Sequence, residues 1–364
     1  MARSSVERPA AVRGWWAAGL LAVLMIALPV SAGFIEEFYS RLVYRWLQRG
    51  LTSISNLVPF AVLDVLIAGT LLGILLRIVW LLRAAWHRGP RAALSEGIRR
   101  LIRTVGLVII VFVTAWGCNY RRLPLETTLR GAPAPRPTVE ALELALGQVA
   151  ALAANYRRAA AGEPEWDMRQ VAAALEEPMN AALTRLELPA LAAPGRPKTS
   201  AVLTQWYTWA GVNGMINPFG LEPIVHPDLL PFERPFVLAH EWAHLAGHAD
   251  EAEANAIGWF ACMQGGAPLG YSASLYLLME ASAALPAEAR KRALSHLDAG
   301  VRDDLAAIGR RMRAERPRVR RAASRVYDEY LKANRVQDGT ASYSRALTLI
   351  LAPPLRDALP AVRR

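Results

Sequence analysis

Apolar residues are spread unevenly along this chain. Three runs, at residues 15–30, 57–82 and 101–118, are long enough, or nearly so, to cross about 30 Å of hydrocarbon. Each carries aromatic residues near an end: Trp15 and Trp16, Trp80 and Trp86, Trp116 and Tyr120. Interfacial anchors sit in such places. The pattern predicts three transmembrane helices within residues 1–130.

Beyond them, Gly131-Ala-Pro-Ala-Pro-Arg-Pro137 reads as a stiff spacer, and from residue 138 the apolar period becomes mostly helical. Helices are expected over 139–161 and near 168–186, with a Pro/Gly break at 193–198. Between Gly211 and His226, short apolar runs mixed with turn formers predict a small β-hairpin or extended edge. Helices resume near Pro235 and continue almost to the C-terminus. The expected architecture is therefore mainly α. Three N-terminal transmembrane helices (about 15–30, 57–82 and 101–118) occupy residues 1–130, followed by a spacer at 131–137 and an α-rich domain with a small β-hairpin at 138–364. No internal repeat stands out.

Charge assigns the sides. Arg3, Arg8 and Arg13 precede the first run, and Arg83, Arg88, Arg91, Arg99, Arg100 and Arg103 crowd the connection between the second and third. The first loop has only Arg41, Arg45 and Arg49. Arginine-rich short loops stay in the cytoplasm, so the N-terminus is expected inside and everything after Tyr120 outside. A signal peptide cleaved near Val30-Ser31-Ala32 is the alternative for the first run, and it leaves the C-terminal region on the same side. Within the second run, Arg77 is near the cytoplasmic end and can snorkel. Asp64 lies about 10 Å in from the outer end and is expected to hydrogen-bond another helix or a polar cavity.

Composition narrows the class further. The 364 residues are 53% hydrophobic yet carry a formal charge of +11, which excludes a disordered tail protein and points to the membrane. Of the 42 basic residues only Lys198, Lys291 and Lys332 are lysines, a usage expected of a GC-rich bacterial genome. Two cysteines, Cys118 and Cys262, are too few for a disulfide framework. The late arginine run from Arg310 to Arg325 has the density of a nucleic-acid surface, but its placement outside the cytoplasm argues against nucleic acid. A solvated helix face is the default, and contact with anionic lipid headgroups the alternative.

The chemistry concentrates in one stretch. Three of the six histidines, His240, His244 and His248, fall within nine residues. On a helix His240 and His244 lie one turn apart and can share one Zn²⁺, with Glu241 beside them to take a proton from water: a His-Glu-x-x-His pattern. Gly247 fits a helix stop. A catalytic zinc wants a third protein ligand, and Glu251, Glu253, Asp250 and His248 are candidates. Asp250 would complete a metzincin-like arrangement; Glu251, with Asn255 one turn later as its support, would complete a gluzincin-like one. The bland reading is a helix whose histidines merely satisfy hydrogen bonds.

With these residues in view, the chain resembles the bacterial membrane-protein family known as domain of unknown function 3810 along nearly its whole length. The carrying segments are Phe38-Tyr-Ser-Arg41, Pro59-Phe60 with Asp64, Trp116-Gly-Cys-Asn-Tyr-Arg121 with Pro124-Leu125, and Gly214-Met-Ile-Asn-Pro-Phe219. They continue with the block from His240 to Asn255, Tyr271-Ser272, Tyr330-Leu-Lys-Ala-Asn334, Asp338-Gly339 and Ser342-Tyr343. Trp242 and His248 depart from the residues usual there. The family pattern of Glu-x-Glu-Ala-Asn after the glycine favours Glu251 over Asp250 as third ligand.

The resemblance implies a membrane-bound, zincin-like architecture in the bacterial cytoplasmic membrane. From the motif follows the expected activity, a zinc metallopeptidase with His240, His244 and Glu251 as ligands and Glu241 as base. The expected partners are the lipid bilayer and a peptide substrate. Tyr271, His226, Tyr207 and Tyr343 are available to stabilise an oxyanion. The alternative function is a non-proteolytic membrane protein whose metal is structural or sensory.

Overall fold

The structure, a computed structural model, describes residues 9–129, 137–334, 345–352 and 355. Most of the expected spacer, together with Arg3, Arg8, Asp338, Gly339, Ser342 and Tyr343, lies outside them. The protein is mainly helical, with one two-stranded antiparallel sheet among the described residues.

The first third holds α1 (Pro9–Ala27), a helix over Ala32–Asn56, α4 (Val62–Arg88) and α5 (Pro90–Ala115). The Ala32–Asn56 helix consists of α2 (Ala32–Phe34), a π-helical stretch Ile35–Val43 and α3 (Tyr44–Asn56). Both α1 and α4 pack against α5. Of these helices only α4 is by itself long and apolar enough to cross a membrane, and none of its apolar window is buried. In α5, Arg99, Arg100 and Arg103 leave a charge-free stretch of residues 104–115, shorter than the roughly 20 residues a crossing needs. The chain after α1 turns by 108° into the Ala32–Asn56 helix, so that pair counts as a span only if the bend is part of it. Arg77 turns sideways, donating to Thr104 Oγ1 on α5 at 2.9 Å.

The first loop, expected to be a mere connection, is the Ala32–Asn56 helix and belongs to the core. Tyr39 donates to the Thr114 carbonyl (2.8 Å) and Tyr44 to the Leu245 carbonyl (3.1 Å). Gln48 exchanges two hydrogen bonds with the Ala193 backbone, and Thr52 donates to the Leu221 carbonyl. The packing thus crosses residue 130. Ile35, Tyr39, Tyr44 and Trp116 share one buried cluster with the helices that follow.

After α6 (Leu125–Thr128), the rest of the chain builds the head. Its elements are α7 (Val139–Ala159), α8 (Met168–Arg185), α9 (Thr204–Ala210), β1 (Gly214–Asn217), β2 (Glu222–Val225), α10 (Arg234–Leu245), α11 (Glu251–Met263) and α12 (Ala267–Ala284), then α13 (Ala287–Ser295), α14 (Ala299–Met312), α15 (Pro317–Ala333) and α16 (Arg345–Leu351). Local signals set several boundaries. Thr138 caps α7, and Asp167 with Gln170 forms a capping box on α8. The hairpin pairs Gly214 with Val225 through to Asn217 with Glu222. Lys198 joins the far side of β2 through two backbone hydrogen bonds, and α10 packs against both strands.

Glu222 ties the hairpin to α4. Its carboxylate accepts from the Val62 and Leu63 N–H groups at 3.0 and 2.9 Å, capping α4, and from Ser55 and Asn217. It also pairs with Lys198 at 2.7 Å, both side chains fully buried. Reciprocally Asp64, in the first turn of α4, accepts from the Ser200 hydroxyl and from the Ala201 N–H. The expected polar partner of Asp64 is therefore a loop of the head.

Burial alone would raise the Glu222 carboxyl, but Lys198, Asn217, the Val62 N–H and Ser55 outweigh it and hold the group below its ordinary 4.5. A carboxyl held lower in the folded than in the unfolded chain stabilises fully above about 4.5, and that contribution is lost as pH falls through the folded value. Glu222→Gln leaves the Lys198 ammonium buried without a counter-charge, and loss of about 3–5 kcal/mol is expected. Thermal unfolding in detergent reads this as a lowered midpoint, and acidification closes the gap between variant and wild type.

Candidate metal centre

Helix α10 is buried almost all round, with His240 its one partly open position after Arg234. Four-residue spacing brings His240 and His244 onto one face, their rings 4.5 Å apart and their Nε2 atoms at 3.1 Å. The helix stops at Gly247, whose φ of +93° is the left-handed conformation. There the Gly247 N–H donates to the His244 carbonyl and the His248 N–H to the Ala243 carbonyl, the paired bonds of a Schellman cap. Asp250 then caps α11, accepting from the Ala252 and Glu253 N–H groups. α11 runs back along α10, close enough that a side-chain carbon at Gly258 would lie 2.9 Å from the backbone nitrogen of His240.

This reversal brings Glu251, the first residue of α11, to the histidines. Its Oε2 lies 3.3 Å from His240 Nε2 and 3.6 Å from His244 Nε2. The three form the one cluster among the described residues with metal-ligand spacing. The other acids weighed face elsewhere. Asp250 caps its helix and pairs with Arg345 at 2.8 Å. Glu253 accepts from the Leu125 N–H at 2.8 Å and meets His248 Nδ1 at 3.0 Å, which also takes His248 out of the cluster.

Two contacts orient the cluster. His244 Nδ1 meets the His248 carbonyl at 2.6 Å, and donating a proton there turns Nε2 toward Glu251 and His240. Glu251 Oε1 accepts from the Tyr327 hydroxyl, on α15. Asn255, expected to give such support, is buried and makes no hydrogen bond to the cluster. Tyr327 had no local signal in the sequence, because its partner lies 76 positions away. A wall of aromatic rings continues from it: Tyr327 stacks on Tyr330, Tyr330 meets Tyr120 and Phe112, and Trp116 stands 6.3 Å from the His244 ring.

The electrostatics are those of a charged group of buried side chains. Burial opposes ionisation of Glu251, yet His244 and His240 hold its carboxyl well below the usual range. His244, despite burial, is raised to about 9 by Glu251, Glu241 and the His248 carbonyl. Burial first, and Glu251 last, lift Glu241 to about 7 against the pull of the two histidines. Its Oε2 has no hydrogen-bond partner among the described residues, and its Oε1 sits against the bare backbone of Gly214 on β1, where a side-chain carbon would come within 2.5 Å.

Of the residues considered for an oxyanion, Tyr271 donates to Asp304, and His226 is held between Thr208 and the Asp228 N–H. Tyr207 is buried with its hydroxyl free of partners among the described residues; burial first, then the charge of Glu241, keeps that hydroxyl protonated. In the late arginine run, Arg311 pairs with Glu233 and Arg316 lies over Trp209, so part of that charge is spent internally.

The sequence pattern of one family of proteins of unknown function, DUF3810, matches residues 39–351. The chain belongs to that family. No curated protein and no solved structure matches it. The DUF3810 match begins inside the Ala32–Asn56 helix, so it takes in the first-loop contacts as well as the cluster.

At Gly247 any side chain meets both the left-handed backbone and the Tyr44 ring, 3.0 Å from the added carbon. Gly247→Ala is expected to lower stability by about 1–3 kcal/mol, read as a drop in the unfolding midpoint.

Proposed function

We propose that this DUF3810 protein is a membrane-anchored zinc metallopeptidase that works outside the cytoplasmic membrane. The observation that carries the reading is the convergence of His240 Nε2, His244 Nε2 and Glu251 Oε2 at 3.1–3.6 Å, with Glu241 alongside. The donor set fits zinc: two imidazole nitrogens and one carboxylate oxygen, each on about a 2 Å bond to a tetrahedral ion, sit roughly 3.3 Å apart. Bound there, zinc supplies a Lewis acid that polarises the substrate carbonyl and acidifies a water.

The chain's own residues do the rest. Tyr327 and the His248 carbonyl fix which atoms of Glu251 and His244 face the site. Glu241 takes a proton from the attacking water at its unpartnered Oε2 and hands it to the leaving nitrogen. The extended β1 beside Glu241 offers backbone at Gly214 and Ile216, the positions that alternate with those bonded to β2, for an incoming strand.

Helices α1, α4 and α5 are read as membrane crossings, α5 with Arg99, Arg100 and Arg103 reaching the cytoplasmic headgroups. The C-terminal end of α1, the first turn of α4 and the C-terminal end of α5 all contact the head side: Arg121 binds the Met25 and Ile26 carbonyls, Glu222 caps α4, and Trp116 follows α5. The arginine-rich α4–α5 connection is then at the opposite end, which supports a head outside the cytoplasm.

Purified protein is expected to carry stoichiometric zinc, lost in His240→Ala and His244→Ala and bound about 10–100-fold more weakly in Tyr327→Phe. Glu241→Gln is expected to keep the metal while cleavage of a peptide library falls at least about 100-fold. Zinc-free wild type overturns the reading. Zinc-loaded protein whose function survives Glu241→Gln replaces it with a structural or sensory metal.

A further inference from the structure

The Ala32–Asn56 helix is amphipathic in the reverse sense. Its buried side carries Gln48, Thr52 and Ser55, each hydrogen-bonded to the head, beside Tyr39 and Tyr44. Its outer side carries Phe34, Phe38, Leu42 and Trp46 at four-residue intervals, then Ile54 and Leu57, every one more than half exposed. Four-residue spacing drifts around an α-helix, and the wider turn of the π-helical Ile35–Val43 stretch offsets that drift and keeps the stripe on one side. A row of large apolar side chains facing outward, with polar ones facing in, is the pattern of a surface that meets lipid.

Two further observations name the lipid surface. The helix is turned 108° from α1, so with α1 crossing near the membrane normal it lies close to the membrane plane. At its other end it runs within a few residues into α4, none of whose apolar window is buried, so the stripe is continuous with the face α4 offers to hydrocarbon. Arg45, exposed beside Trp46, is placed to reach phosphate headgroups.

We propose that the Ala32–Asn56 helix lies in the outer lipid interface, with Phe34, Phe38, Leu42 and Trp46 sunk at the boundary of headgroups and acyl chains. The inference rests on the reading of α4 as a membrane crossing. Because Tyr44 on the opposite side binds the Leu245 carbonyl at the end of α10, the helix holds the His240–His244–Glu251 cluster about one helix diameter, roughly 10 Å, above the lipid.

The test uses the full chain in phosphatidylcholine–phosphatidylglycerol nanodiscs. Cys118→Ser removes the partly exposed thiol, and buried Cys262 stays unlabelled. A polarity-sensitive fluorophore is placed singly through Phe38→Cys, Trp46→Cys, Glu37→Cys and Leu75→Cys, and quenching is compared between aqueous iodide and spin labels near the headgroup or at the bilayer centre. At 38 and 46 the expected result is several-fold stronger quenching by the headgroup-level label than by iodide, with position 37 the reverse and position 75 quenched from the centre. Iodide quenching at 38 and 46 equal to that at 37 overturns the proposal. So does quenching there from the bilayer centre, which marks a re-entrant segment, or protection from every quencher, which marks a protein partner such as a second copy. If position 75 is open to iodide, the crossing itself fails, and the interfacial helix fails with it.

Discussion

Between Leu245 and Asp250 the chain has to end one helix and begin the next in the opposite direction, with both backbones close enough for their first and last turns to touch. A left-handed residue is required at the corner, and Gly247 supplies it without strain. The same corner then does the positioning. The His248 carbonyl it exposes lands on His244 Nδ1, Asp250 starts α11, and Glu251 occupies its first position. Distant parts of the chain buttress it: the Tyr44 ring lies over Gly247, and Arg122, in a two-bond pair with Glu36, donates to the Gly247 carbonyl. Orienting the three donors is therefore a property of the corner and its supports together.

What could be read from the sequence follows from how far each interaction reaches. His240, Glu241, His244 and Gly247 stand out because helical spacing and a helix stop are local rules, and the hairpin shows itself through Asn213, Gly214 and Pro218 for the same reason. The choice among Asp250, Glu251 and Glu253 rests in the sequence on the family pattern; in the structure Asp250 is the cap of α11, Glu251 its first residue, and Glu253 two residues further on faces Leu125 and His248. Tyr327 was invisible, because nothing near it hints at a carboxylate on another helix. The Ala32–Asn56 helix escaped for another reason. Its polarity is inverted, so a search for an apolar face to bury finds that face on the outside and the true inner face marked by Gln48, Thr52 and Ser55. In α5 the apolar run is legible, and Arg99, Arg100 and Arg103 shorten it to residues 104–115.

The Glu222–Lys198 pair shows how the head and α4 specify one another. A buried ion pair adds little net stability, since desolvation offsets most of the attraction. What it adds here is register: with Ser55, Asn217 and two N–H groups of α4 also on the carboxylate, the hairpin has one position relative to that helix. Gly214, the hairpin residue against Glu241, is held by the same strand pairing.

The contacts across residue 130 bear on how such a protein can be cut. Leu125 lends its N–H to Glu253, Trp116 faces His244, and Tyr44 covers Gly247, all from the N-terminal side of Thr138. Proteolysis between Thr128 and Thr138 followed by release of the C-terminal piece would strip those supports away and expose the buried Lys198 and Glu222. The C-terminal piece left by such a cut is thus not a smaller version of the whole.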